Sequence, residues 1–169
     1  AFHDFVRSEY RPPVEQGRAV MLMLPCTKVK PYCLSHEHQA INGYLLAQGF
    51  RPDGDAEYPA EIAAGLLPGA DPLILNNRPW RRGDLVLHRY VVSEPMAMVP
   101  YEFIYTFQGQ PSLTARYDDP GLFEHRGTAV CPWRPDFSGI ATANGYRWGD
   151  QEEAAYVEVH NRLVRLIVE

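Results

Sequence analysis

Residues Pro25 to His38 crowd two thiols, two amines, two imidazoles, a serine hydroxyl and a carboxylate into one short segment. Ahead of it, Ala19 to Leu24 is an uninterrupted apolar run. A run that short, with no polar alternation, predicts a strand buried on both faces. Behind it, Ser35 is a favoured N-cap residue. Ala40, Ile41, Tyr44, Leu45 and Gln48 follow helical spacing, with Gly49 at the stop. Strand, loop and helix in that order make an α/β unit. In open α/β sheets, ligands gather at the carboxyl ends of strands. A loop this polar costs too much to bury whole, which sets it at a cleft.

The remaining segments fit around that unit. Arg11-Pro12-Pro13 breaks any helix near the start. Residues 1–18 therefore read as an N-terminal arm that docks through Phe2, Phe5 and Val6. Tyr58 to Leu66 predicts a short helix. Asp84 to Val92 predicts a second strand, with Leu85, Leu87 and Val91 on one side. Glu94 to Pro100 reads as a proline-bounded loop and Thr128 to Cys131 as a third strand. Tyr101 to Phe107 suits either a short helix or a strand. Asp150 and Glu153 form a capping box for a final helix. Its Tyr156, Val159, Leu163, Leu166 and Ile167 make one apolar stripe. The expected fold is α/β: residues 19–169 form one compact catalytic domain around a small central mixed sheet flanked by helices.

A chain of 169 residues is the size of one domain. Its apolar runs are far too short to span a membrane. No charged segment followed by a long apolar stretch opens the sequence, so no signal peptide is expected. The three cysteines, Cys26, Cys33 and Cys131, are an odd number. That argues against a secreted disulfide framework and for a reducing cytoplasm. The net charge of -5 opposes non-specific adhesion to polyanions. The positive charge is unevenly placed, however. All basic residues but Lys28 and Lys30 are arginine, and Arg78, Arg81, Arg82 and Arg89 surround Trp80. A planar, bidentate guanidinium suits phosphate, which makes Arg78, Arg81 and Arg82 candidates for a nucleic-acid backbone. A solvated arginine-rich loop would give the same pattern.

The two lysines both fall in the dense loop. Positive charge near Cys26 favours its thiolate. A thiolate adds to electron-poor carbon, including that of a nitrile. The alternative for Cys26 is a small buried apolar residue; Cys33 is the weaker nucleophile. Lys30 can stabilise negative charge on a nitrile nitrogen or pair with phosphate. His38, in the first turn of the helix, can move a proton or simply hold a structural hydrogen bond. Ser35 reads as a cap before it reads as a catalytic hydroxyl, and Tyr32 can stack on a base. Zinc would use Cys26, Cys33, His36 and His38. Their spacing lacks the tight Cys-x2-Cys or His-x3-His chelate, so no metal is assigned and no cofactor is expected.

Pro25, Cys26, Lys30, Pro31, Tyr32, Ser35 and His38 match the pattern Pro-Cys-x3-Lys-Pro-Tyr-x2-Ser-x2-His. In this the chain resembles the archaeosine synthases. Val91 to Glu102 is similar to a second segment of that family, with Pro95, Val99, Pro100 and Glu102 in place. Ala97 stands where that segment has glycine, and Tyr101 where it has a basic residue. Tyr117-Asp118 matches a Tyr-Asp pair further along. The resemblance implies chemistry on the nitrile of 7-cyano-7-deazaguanine within a polynucleotide. Cys26, Lys30, His38 and Ser35 would be the catalytic set, and Tyr32, Pro95, Glu102 and Asp118 would hold the base. A chain without room for extra RNA-binding domains is most similar to the compact bacterial member of the family that acts in DNA modification. That member converts the nitrile to the carboxamide. The expected partner is DNA containing the modified base, together with other proteins of a DNA-modification system. Transfer of lysine to the same nitrile in tRNA is the alternative. A non-catalytic reader of modified nucleic acid is a further one, of another class.

Overall fold

The computed structural model describes residues 2–13, 17–55, 58–93, 96–115, 140–143, 145–147 and 150–168. Five strands, β1 (Arg18–Pro25), β2 (Arg51–Pro52), β3 (Trp80–Arg82), β4 (Leu85–Ser93) and β5 (Ala97–Pro100), form one mixed sheet. The β-branched, aromatic and leucine residues of β4 suit its place at the centre. It is buried along almost its whole length. One side of it pairs in parallel with β1, from Arg18 beside Leu85 to Pro25 beside Val92. Its other side is shared, antiparallel, by β3 near its start and β5 near its end. β2 continues the sheet beyond β3.

Among the described residues, three α-helices accompany the sheet. α1 (Phe2–Asp4) runs into a π-helical turn at Phe5–Glu9. α2 (His36–Ala47) follows the dense loop, and α3 (Asp150–Val168) lies near the carboxyl end. The hairpins β6–β7 (Thr106–Phe107, Gln110–Pro111) and β8–β9 (Ile140–Thr142, Gly145–Arg147) are separate two-stranded sheets. The molecule is a compact α/β domain with a mixed sheet and packed helices, as the strand–loop–helix order predicts. Among the described residues no helix is long and apolar enough to cross a membrane.

The main core gathers Leu24, Leu46, Ile74, Trp80, Val91 and Ile104 between one face of the sheet and α2. A second cluster sets Ala97 of β5 against Ala155, Val159 and Leu163 of α3. Leu166 and Ile167 flank it, so the predicted stripe of the last helix packs as expected. The side chains of Asp150 and Tyr156 lie outside the described residues. The arm docks too. Phe2 is buried and meets Phe107 edge-on at 4.8 Å between ring centroids, while Phe5 meets Phe103 at 5.6 Å.

Four expectations change. β1 is an edge strand, not a buried one: Val20, Met21 and Met23 are exposed, and only Leu24 is buried. Among the described residues it has a neighbour on one side only, so apolar composition on both faces does not secure burial on both. The segment from Ala97 to Pro100 is a strand, because Val99 pairs with Val91. The short helix near Tyr58 is a 3-10 turn at Ala60–Gly65. The buried stripe of α2 is His38, Gln39, Asn42 and Leu46, while Tyr44 is exposed. That helix buries polar groups because each finds a hydrogen-bond partner inside. The predicted strand Thr128 to Cys131 lies outside the described residues.

Candidate active site

The motif residues meet where β1 ends. The parallel register sets Pro25 beside Val92, so Cys26 leaves the sheet next to the end of β4. Thr27 turns the chain by donating its hydroxyl to the Val29 carbonyl at 3.0 Å. The Lys30 ammonium donates to the Thr27 carbonyl, lies 4.0 Å from Cys26 Sγ and stands 4.4 Å over the Tyr32 ring. Cys26 is partly exposed, and its thiol faces the Thr27 carbonyl at 3.9 Å. The Lys30–Pro31 peptide bond is cis.

Tyr32 is fully buried and donates its hydroxyl to Ser93 Oγ at 2.8 Å, tying the loop to the end of β4. Burial pushes its pKa above the usual phenol range, and the neighbouring Cys26 sulfur adds to that. Ser35 caps α2: its Oγ accepts from the His38 backbone N–H at 3.1 Å. The hydroxyl is thus engaged, as the cap reading predicts.

His38 is fully buried and stacked between Tyr32 and Tyr101, at 6.0 and 5.8 Å. Both ring nitrogens are engaged. Nε2 is 2.9 Å from the Pro25 carbonyl and Nδ1 is 3.1 Å from the Tyr101 hydroxyl. Burial holds its pKa below the ordinary histidine value; the Pro25 bond opposes this and Arg89 reinforces it. Cys33 is sealed in the core, with Sγ 2.9 Å from the Tyr105 hydroxyl, and burial raises its pKa to about 11. Of the two thiols in this loop, Cys26 is therefore the accessible one.

The arginine cluster does not act as one patch. Alternation along β3 sends Arg81 and Arg82 to opposite faces. Arg81 pairs with Asp53 at 2.8 Å. Arg82 lies 4.8 Å over the Phe50 ring and donates to the Gln48 carbonyl. Arg89 points inward between Trp80 and Tyr101, 4.3 and 4.1 Å from their rings. Its hydrogen-bond acceptors are Asn42 Oδ1, the Asn76 carbonyl and the Arg78 carbonyl, all neutral. Burial lowers its pKa to about 10.

Glu102 follows β5 on a 3-10 turn, where its carboxylate accepts from the Tyr10 hydroxyl at 2.6 Å. It lines a polar cleft of about 400 Å³ with Arg78, Arg81, Asp53 and Asp55. Cys26 is not among the residues of that cleft. The structure thus brings Cys26, Lys30, Tyr32, Ser35 and His38 together, and groups Glu102 with Arg78 and Arg81 apart from them. Pro95 and Asp118 lie outside the described residues. Among those residues no three of His, Cys, Asp and Glu converge as metal ligands.

Sequence reasoning missed Asn42, Ser93, Tyr101 and the inward turn of Arg89. Asn42 had a visible signal, since it lies four residues after His38 and so on the same helix face. No family model, no curated protein and no solved structure matches this chain.

Proposed function

We propose that the protein hydrates the nitrile of 7-cyano-7-deazaguanine in DNA to the carboxamide, with Cys26 as nucleophile. The observation that carries this reading is the Lys30 ammonium 4.0 Å from Cys26 Sγ, over Tyr32 at the end of β1. An ammonium at that distance stands ready to donate to the nitrile nitrogen as negative charge develops on it. A second feature agrees with the family pattern. Ala97 holds a φ of 58°, a conformation that favours glycine, at the position where the pattern has glycine.

The chemistry balances with water alone. The Cys26 thiolate adds to the nitrile carbon, and the nitrogen takes a proton from Lys30 to give a thioimidate. Water adds to the same carbon, and one of its protons returns to Lys30 while another reaches nitrogen. The tetrahedral intermediate then expels the thiolate, leaving C=O and NH2. The base must first leave the helical stack to reach the strand end. Tyr32 is buried edge and face, so its part is to carry Lys30 rather than to stack on the base.

The test is mass spectrometry of nucleosides from nitrile-bearing DNA and nitrile-bearing tRNA, each incubated with and without lysine. Gain of one water on DNA, independent of lysine, supports the proposal. A lysine adduct on tRNA replaces it with amine transfer. Binding without consumption makes the chain a reader. Cys26→Ala and Lys30→Ala should each lower turnover by at least about a hundredfold. Full activity in Cys26→Ala would remove covalent catalysis by that thiol.

A further inference from the structure

Among the described residues no carboxylate fixes the orientation of His38, yet its protonation pattern is dictated from both ends of a buried chain. At one end is Arg89, which only donates. Its NH1 lies 2.8 Å from Asn42, so the amide oxygen of Asn42 must face it. The Asn42 nitrogen then points the other way, toward the Ile74 carbonyl at 2.9 Å and the Tyr101 hydroxyl at 3.2 Å. The Ile74 carbonyl is an obligate acceptor, so the amide orientation is fixed twice. Tyr101 oxygen accepts from Asn42, which leaves its hydrogen for His38 Nδ1 at 3.1 Å. At the other end, Nε2 faces the Pro25 carbonyl, which can only accept. Every proton runs in one direction, from the guanidinium to the strand end.

We propose that Arg89, acting through Asn42 and Tyr101, locks His38 in its Nε2–H tautomer and so ties down the Pro25 carbonyl beside Cys26. Arg89, Asn42 and Tyr101 are positioning residues: each is buried, and each acts through its neighbour. A proton on Nδ1 would face the Tyr101 oxygen, and the phenol hydrogen would then have no acceptor among the described residues. The lock is a property of the protein and holds whether or not Cys26 ever meets a nitrile.

The experiment is long-range 1H–15N NMR of histidine-labelled protein at about pH 7, with the His38 signals identified by their loss in His38→Gln. The wild-type protein should show Nδ1 unprotonated and Nε2 protonated. Asn42→Asp replaces the donor to Tyr101 by an acceptor, which reverses the chain. The phenol then donates to the introduced carboxylate, and Nδ1 must carry a proton. A wild-type ring protonated on Nδ1, or an Nδ1 that stays bare in Asn42→Asp, would overturn the assignment. If that variant does not fold, Tyr101→Phe gives a second reading. It removes the hydrogen aimed at Nδ1, so His38 should protonate at higher pH than in the wild-type protein. Arg89, Lys30 and Glu37 bear on the ring electrostatically, and all three stay in place. An unchanged titration would overturn the proposal equally.

Discussion

His38 shows how burial ties one side chain to the stability of the whole protein. Its folded pKa is depressed by burial from an ordinary value of 6.5. Above that value both the folded and the unfolded chain hold the ring neutral, and the stabilisation is fully present. As pH falls below about 6.5, the unfolded chain binds a proton that the native site refuses, and stability is lost. The greatest slope one such group can give is about 1.4 kcal/mol per pH unit. Urea unfolding at about pH 7, 6 and 5 should therefore show a steeper acid loss in the wild-type protein than in His38→Gln. Equal slopes in the two proteins would mean that the ring titrates as it does in water. The same residue explains what was legible in the sequence. Cys26, Lys30 and Tyr32 lie within one short loop and His38 in the first turn of the helix after it, so a local turn can bring them together, and their chemistry reads from spacing. Tyr101 reaches His38, and Arg89 reaches Asn42 beside it, from a distant turn and strand. Nothing in the sequence distinguishes an inward arginine from Arg81 or Arg82 on the neighbouring strand, because a guanidinium's direction is set by the rings and carbonyls that receive it.

Among the elements, β5 is one that its sequence disguises. Prolines near both ends of the stretch from Glu94 to Pro100 read as a loop. Yet Pro100 ends the strand, where a missing N–H is tolerated, and Val99 supplies the buried contact. Ala97 begins it in a left-handed conformation and packs, buried, against α3. That combination makes an asymmetric prediction. Ala97→Gly relieves backbone strain but loses one buried methyl, worth about 0.8 kcal/mol, so its net effect should stay within about 1 kcal/mol. Ala97→Val adds β-branching where φ is positive and crowds the second cluster. It should cost about 2–4 kcal/mol. Denaturant midpoints of the two variants decide the matter: comparable midpoints would mean that the positive φ carries no strain. α2 teaches the converse lesson. Its boundaries are legible from the Ser35 cap and from Gly49, whose φ of 85° ends the helix. Its buried face is not. Hydrophobic spacing selects Ala40 and Tyr44, whereas the interior receives Gln39 and Asn42 because carbonyls at Leu34, Gly65 and Ile74 accept from them. Polar burial depends on partners elsewhere in the fold, which no local period records.

At the scale of the whole molecule, the N-terminal arm is joined to the body by both packing and a polar tie. Phe2 and Phe5 lie against Phe103 and Phe107, and Tyr10 donates to the Glu102 carboxylate. The aromatic residues of the arm are visible in the sequence as docking groups. Their destination is not, since Phe103 and Phe107 belong to a segment whose sequence suits helix and strand alike. The two ties should differ in weight. Phe2 is almost wholly buried, so Phe2→Ala removes a large ring and leaves a cavity, at a cost of about 3–5 kcal/mol. Tyr10→Phe keeps the ring and removes only the hydroxyl. Glu102 is partly exposed, and water can replace the lost donor, so the cost should be about 1 kcal/mol. Urea unfolding followed by circular dichroism measures both. If the arm merely rests on a body that is stable without it, Phe2→Ala will match the wild-type midpoint. If the arm is part of the fold, that variant will unfold at clearly lower urea while Tyr10→Phe stays close to wild type. Glu102 links this packing to the polar cleft it shares with Arg78 and Arg81. An arm that holds the Glu102 turn in place therefore also holds one wall of that cleft.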